Sequence, residues 1–424
     1  MGKKYLVEGK KPLKGEVVVS GYKNSAGAIL AASLLSEKKS QIFNLPRCQD
    51  ILDLIEIIKS LGAKVNFFSK NAVEIDPKGL SPNPVPVSLF ERIRMSILLV
   101  PPLLKKFKKI EVPHPGGDRI GLRPIFAHLD VFSQFGIEAE NEKGFYSFKI
   151  NFRKVPTFPK IVLPEFSVTA TENALMLASF LGKKTKIEIA ASEPQVQDLC
   201  YFLQKMGVKI SGVGTHTLVV QAKKDLKGAS FEICPDLLEV GTFLIAFALT
   251  SGRGKIKKVK PEHLTFFLRK MKEIGVRFFV KKNEIEVFPS KNFFATKIQS
   301  LPYPGFPTDL QPQTSVLLTQ AEGKSLIHEP LYENRFLHLH ELRKMGADVE
   351  ITDPHRALIF GKKELLGTKL QATDIRAGAA LVLAALSASG QSEVNNVYQI
   401  ERGFENFLPK LQKIGAKIHL LSDN

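Results

Sequence analysis

Cysteine is scarce. Three occur in 424 residues, Cys48, Cys200 and Cys234, too far apart to build a metal cluster or a disulfide framework. That leaves the reduced thiols of a cytoplasmic protein. Long apolar runs are also missing: ILLVPPLL and AGAALVLAALSASG are the longest, and neither reaches membrane-spanning length. The opening MGKKYLVEGKKPLKGEVVVSG is charged without the apolar centre of a signal peptide, and Leu6 breaks the myristoylation pattern, so a cytosolic chain without membrane insertion is expected. No Walker loop, dinucleotide fingerprint or nucleophile elbow occurs. His338 and His340 stand two apart on an expected helix, where they face different ways and cannot chelate one metal as an i, i+4 pair could. Neither a metal nor an organic cofactor is expected.

Acidic residues are in the minority, 42 against 60 Lys and Arg, for a net charge of +18. Phosphate backbones are bound through clustered cations, but the lysines here lie in short scattered groups such as Lys105-Lys106, Lys108-Lys109 and Lys255 to Lys260. No RNP, zinc-finger or basic-helix pattern accompanies them. The charge therefore reads as a solvated basic surface, with small anionic ligands next, and no nucleic-acid partner is expected. A hydrophobic share of 44% with 24% charged residues is ordinary for a soluble globular protein, and the length favours two or more domains.

What the chain has is a repeat. IIKSLGAKVNF, VFSQFGIEAEN, LQKMGVKISG, KMKEIGVRFFV, LRKMGADVEI and LQKIGAKIHL centre on Gly62, Gly136, Gly207, Gly275, Gly346 and Gly415, at spacings of 68 to 74 residues. In each copy an amphipathic helix such as DILDLIEIIKSLG ends at a glycine suited to a left-handed cap, and an alternating strand follows. Upstream lies a second helix of small and apolar residues, as in SAGAILAASLLS, RMSILLVPPLLKK, TENALMLASFLG, VGTFLIAFALTSG and RAGAALVLAALSASG. So few charges predict burial of this helix, with its amphipathic partner toward solvent. The counterpart near DLQPQTSVLLTQAEG is more polar. The unit is a two-helix, four-strand α+β module of about 70 residues, near the minimum for an independent core. Three such modules packing their buried helices together make one domain, so six imply two.

This α/β architecture, with GYKNSAG, RIRMSI, PGGDRIGLRP, FSVTATENALM, EPQVQD, PDLLEVGTF, FPTDLQPQ, ENRF, ATDIRAGAALVLA and IERGFENF in order along the chain, resembles the enolpyruvyl transferases, specifically the branch that uses UDP-N-acetylglucosamine. The resemblance implies two lobes of βαβαββ units, an inside-out α/β barrel joined by a double crossover. The first lobe would run over 21–232 with a catalytic loop at 114–124, the second over 1–20 and 233–424, and the substrates would bind in the cleft. It implies transfer of the enolpyruvyl group of phosphoenolpyruvate to the 3-hydroxyl of UDP-N-acetylglucosamine with release of phosphate, the first committed step of peptidoglycan precursor synthesis. Oligomeric state is left open, with a monomer favoured.

That chemistry needs a proton for the phosphoenolpyruvate methylene carbon, a base for the sugar hydroxyl, and cations for carboxylate and phosphate. The resemblance implies Asp118, Asp309 and Lys23 as catalytic residues. Lys23, Asn24, Arg123, Arg376 and Arg402 would hold phosphoenolpyruvate, guanidinium forks being suited to bidentate anion binding. Asn24, Arg94, Arg123, Pro124, Ile125, Phe126, Ala127, Ser167, Val168, Asp309 and Leu331 would hold the UDP-sugar. Taken singly, the arginines read as surface ion-pair partners, Lys23-Asn24 as a surface turn and Asp309 as a helix N-cap; Arg335 reads as an ordering residue.

Departures from the family are equally definite. Asp118 stands where most members carry a cysteine, the family's general acid and the atom alkylated by fosfomycin, so insensitivity to that agent is expected. An aspartate, with a reference pKa of about 3.9 and Arg119 and Arg123 as neighbours, needs desolvation or the substrates' negative charge to act as an acid. Phe126 replaces a usual aspartate near the uracil, Tyr303 a frequent histidine, and Glu165 an often basic residue, while His128 keeps its place. These leave a different nucleotide sugar as an alternative acceptor. A shikimate-pathway activity and a non-catalytic ligand-binding paralogue are the further alternatives.

Overall fold

A computed structural model describes residues 2–82, 85–118 and 120–422; Arg119 lies outside them. The chain forms two compact units, one of residues 21–118 and 124–234, the other of 2–20, 120–123 and 235–422.

In the first unit the helices Lys23–Ser33, Val100–Phe107 and Val168–Ala178 lie at the centre, the second continuing a 3-10 turn at Arg94–Leu99. Three sheets flank them. One orders Ser230–Glu232, Ser40–Phe43, Ala72–Asp76 and Lys64–Ser69; one orders Lys109–Pro113, Phe145–Ile150 and Ile137–Glu142; one orders Lys209–Ser211, Thr217–Gln221, Lys184–Glu188 and Lys160–Val162. The last shows the pattern of a module. A parallel pair, Lys160–Val162 beside Lys184–Glu188, is extended by an antiparallel hairpin, and the residues alternate between core and solvent.

The second unit repeats this plan around Leu237–Leu249, Gln311–Leu318 and Ile375–Ser387, which all pack on one another. Its strands come from both ends of the sequence: Lys3–Glu8 lies between Gln391–Asn395 and Lys417–Ser422, and Lys14–Val18 runs parallel to Arg253–Lys257.

The apolar helices are buried, as their lack of charge predicts, and so is the polar one. All eight residues of Gln311–Leu318 are buried. Its polar groups bond within the core: Gln311 Nε2 donates to Ser315 Oγ (2.9 Å), Thr314 Oγ1 to the Leu310 carbonyl (2.7 Å) and Gln313 Nε2 to Thr242 Oγ1 (3.4 Å). All six repeat glycines have positive φ, from 74° at Gly136 to 102° at Gly207.

Candidate functional site

The residues singled out above divide between the two units. In the first unit, Lys23 opens the helix Lys23–Ser33, and its predecessor Tyr22 supplies no side-chain cap. A cation there opposes the helix dipole. Asp50, in the first turn of Gln49–Ser60, compensates: its Oδ2 lies 2.8 Å from Lys23 Nζ, and both residues are buried. Asn24 is half-buried and donates to Tyr22 Oη at 3.3 Å. Lys23 and Asn24 are thus not a surface turn.

Arg94 begins the 3-10 turn and donates to the Pro124 carbonyl at 2.9 Å, tying that turn to the end of the 114–124 loop. Gly116 lies so close to the Glu91 carbonyl that an added Cβ would sit 1.5 Å from the oxygen, and Gly117 has φ of 120°; no other residue fits either position without rearrangement. Asp118 follows, half-buried. Beyond it, Ile120 accepts from Asn334 N (3.1 Å) and Arg123 lies over the Tyr332 ring (5.8 Å), both contacts within the second unit.

Of the residues after the loop, Ile125 and Ala127 turn their side chains into the core, whereas Pro124 is exposed and Phe126, first in the helix Phe126–Gln134, is 48% exposed. His128 is buried. Asn173 Nδ2 donates to its Nδ1 (2.9 Å), which leaves the proton on Nε2 for Thr169 Oγ1 (3.1 Å). Burial, then the charge of Arg94, push this imidazole down to about 3, so it is neutral. Ser167 caps Val168–Ala178, accepting from Ala170 N at 3.4 Å; Val168 is half-buried and Glu165 exposed.

The second unit's cluster centres on Asp309. Its Oδ1 accepts from Arg335 at 2.6 Å and its Oδ2 from Arg376 Nε at 3.1 Å. Arg335, Arg376 and Arg402 are all buried, at 2%, 3% and 6% exposure, and so are not surface ion-pair partners. Asp309 is not an N-cap either: Pro307 stands at the cap of the short turn Thr308–Leu310, and Leu310 at that of Gln311–Leu318. The true caps are Asp236, accepting from Leu238 N and Glu239 N, and Asp374, accepting from Arg376 N and Ala377 N. Burial pushes the Asp236 carboxyl up, against the pull of Arg376. For Arg335 burial opposes the charge, but Asp309, Asp374 and Glu329 outweigh it and raise the guanidinium above its ordinary value. His338 donates from Nδ1 to the Arg335 carbonyl (3.1 Å) and is held neutral at about 3 by burial and by Arg335, while His340 is exposed, so the two histidines do diverge. Arg402 donates to Gln399 (2.9 Å), and Arg376 lies over the Phe404 ring (5.2 Å). Leu331 is exposed and Tyr303 half-buried.

Reading residues alone missed Asp50 and Asp374 as partners of the cations. The signal was available for Asp374, an acid one residue before a buried helix. For Asp50, nothing in RCQDIL announces the ion pair.

Residues 7–411 match the family model of EPSP synthase (3-phosphoshikimate 1-carboxyvinyltransferase). The chain belongs to this family. Similar curated relatives are the UDP-N-acetylglucosamine 1-carboxyvinyltransferase 1 of Caldanaerobacter subterraneus subsp. tengcongensis, 41% identical over 99% of this chain and 100% of the relative, and the UDP-N-acetylglucosamine 1-carboxyvinyltransferase of Halothermothrix orenii, 42% identical over 98% and 99%. The Helicobacter pylori (strain P12) enzyme of the same name is 41% identical over 98% and 99%. In fold, the chain matches the crystal structure of the enolpyruvyl transferase NikO from Streptomyces tendae with a TM-score of 0.91 at 24% identity, covering 100% of both chains. An EPSP synthase from Acinetobacter baumannii gives 0.75 at 17%, covering 99% of this chain and 100% of that one. Among the described residues no helix is long and apolar enough to cross a membrane, and no cluster of three or more His, Cys, Asp or Glu could hold a metal ion.

Proposed function

We propose that this protein transfers the enolpyruvyl group of phosphoenolpyruvate to the 3-hydroxyl of UDP-N-acetylglucosamine, releasing phosphate, as the first committed step of peptidoglycan precursor synthesis. The observation that carries this reading is the full-length match to carboxyvinyltransferases named for that acceptor, at 41% and 42% identity. The cation sets support it. Lys23, Arg123, Arg376 and Arg402 provide charges for the carboxylate and phosphate of phosphoenolpyruvate.

In this reading Asp309 takes the proton of the sugar hydroxyl as its oxygen adds to C2 of phosphoenolpyruvate, with Arg335 and Arg376 aiming the carboxylate. Asp118, in its protonated form, delivers a proton to C3. The C3 methyl group then returns a proton as the C2–O bond to phosphate breaks, which restores the enol ether and frees inorganic phosphate. Asn24, Arg94, Ser167, Val168, Leu331 and the 123–127 stretch would hold the nucleotide sugar. Phe126 offers an exposed ring face for stacking on the base. The substrates and the reduced, buried thiols suit a cytoplasmic enzyme, and we favour a monomer.

The decisive assay is phosphate release with UDP-N-acetylglucosamine as acceptor, coupled to product mass. A mass gain of one enolpyruvyl unit, lost in Asp118→Asn, is expected. Release only with another nucleotide sugar would move the acceptor assignment to the Phe126 alternative. Fosfomycin should leave the wild type active, because Cys48, Cys200 and Cys234 are all buried and burial pushes the Cys200 thiol up to about 12. Asp118→Cys should gain time-dependent inactivation; continued insensitivity of that variant would remove Asp118 from the reacting centre.

A further inference from the structure

We propose that Asp198 is a positioning residue that fixes Lys23 and Asn24 for catalysis, an inference that rests on the function proposed above. The chain enters the first unit between residues 20 and 21 and leaves it between 234 and 235. Inside that unit the entering and leaving segments lie side by side: Tyr22 N donates to the Cys234 carbonyl at 2.8 Å. The neighbouring backbone closes on both. Ile233 N donates to the Phe43 carbonyl (3.0 Å), Asn44 Nδ2 to the Ile233 carbonyl (2.9 Å), and Gly21 is so near residue 44 that a Cβ would lie 1.8 Å from the Asn44 oxygen.

Asp198 locks this joint from a third element, the helix Pro194–Lys205. A single oxygen, Oδ2, accepts from Ser25 Oγ at 2.6 Å and from Cys234 N at 3.0 Å, with Asp198, Ser25 and Cys234 at 5%, 0% and 3% exposure. Ser25 is the third residue of the helix that Lys23 opens. Its bond to Asp198 sets the rotation of the first turn, and that rotation directs Lys23 Nζ to within 2.8 Å of Asp50 and places Asn24 beside Tyr22. A charge-assisted bond in a dry site is strong and directional, so the joint resists small rotations of that turn. Asp198 touches neither Lys23 nor any reacting atom in this scheme; it acts through Ser25 and the crossing backbone.

The test uses the full-length enzyme. Ser25→Ala removes only the arm toward the Lys23 helix. We expect the KM for phosphoenolpyruvate to rise about tenfold, one charge-assisted hydrogen bond's worth, with a smaller rise in the KM for the nucleotide sugar through Asn24 and the melting temperature near wild type. Asp198→Asn should lower kcat/KM for phosphoenolpyruvate further. Amide hydrogen exchange over residues 22–26 should quicken in both variants. A purely structural Asp198 would lower stability and leave phosphoenolpyruvate kinetics per folded molecule unchanged, and that result in both variants overturns the proposal. If the wild type transfers nothing, the proposed function fails instead; exchange at 22–26 then decides the joint alone, faster exchange upholding it and unchanged exchange overturning it.

Discussion

Glu172 is the residue whose chemistry stands furthest from its surroundings. Its side chain enters the core of the first unit on the buried helix Val168–Ala178, and its Oε1 accepts no hydrogen bond among the described residues. Burial, with the neighbouring Glu193 adding repulsion, raises the carboxyl well above its ordinary 4.5. The unfolded chain releases this proton near 4.5 while the folded chain keeps it, so the group's contribution to stability is whole below about 4.5 and is lost as pH rises. Glu172→Gln removes the titration and keeps the shape. Its melting temperature should therefore exceed the wild type's by a margin that widens from about pH 4.5 upward; a margin independent of pH would show that Glu172 is ionised in the fold. His128 and His338 act in the opposite sense. Each is depressed to about 3 from 6.5, so their contribution is whole above 6.5 and shrinks as acid protonates the unfolded chain.

At the scale of elements, the repeat glycines can be ranked. Gly415 has φ of 92° and open space around a would-be Cβ, so Gly415→Ala meets only left-handed strain, about 1–2 kcal/mol. Gly62 has the same φ, but its Cβ would lie 2.2 Å from the Gly79 carbonyl oxygen. Gly62→Ala should cost clearly more in denaturant unfolding; equal losses would show that the close approach relaxes freely. These glycines also show why the fold was legible. A helix ending in a left-handed residue leaves a mark that one sequence position carries, and apolar content carries burial for five of the six central helices. Gln311–Leu318 escaped that reading because its polar donors bond within its own turn and to Thr242, a partner far away in sequence. The site divides the same way. Cations are visible as residues, whereas the acids that aim them, Asp50 on Lys23 and Asp309 between Arg335 and Arg376, become partners only once distant elements pack.

At the scale of the whole molecule, one unit is a stretch broken only where residues 120–123 belong to the other, and that other unit is split around it in sequence. Residues 21–234 should melt cooperatively when expressed alone. Residues 235–424 alone lack Lys3–Glu8, the strand that joins Gln391–Asn395 to Lys417–Ser422, and also Lys14–Val18 beside Arg253–Lys257. This fragment should stay incompletely folded until a peptide of residues 1–20 is supplied, as circular dichroism and cooperative melting would report; a native-like melt without the peptide would refute the dependence. The split also orders events on the ribosome. Lys3–Glu8 is among the last strands to complete its pairing, because it must wait for residues 391–395 and 417–422. The inserted unit is by then complete, and Lys3–Glu8 stays unpaired longer than Lys14–Val18, whose partner Arg253–Lys257 follows that unit directly. Lysines at 3, 4, 10, 11 and 14 along that waiting segment keep it soluble until the last repeat arrives.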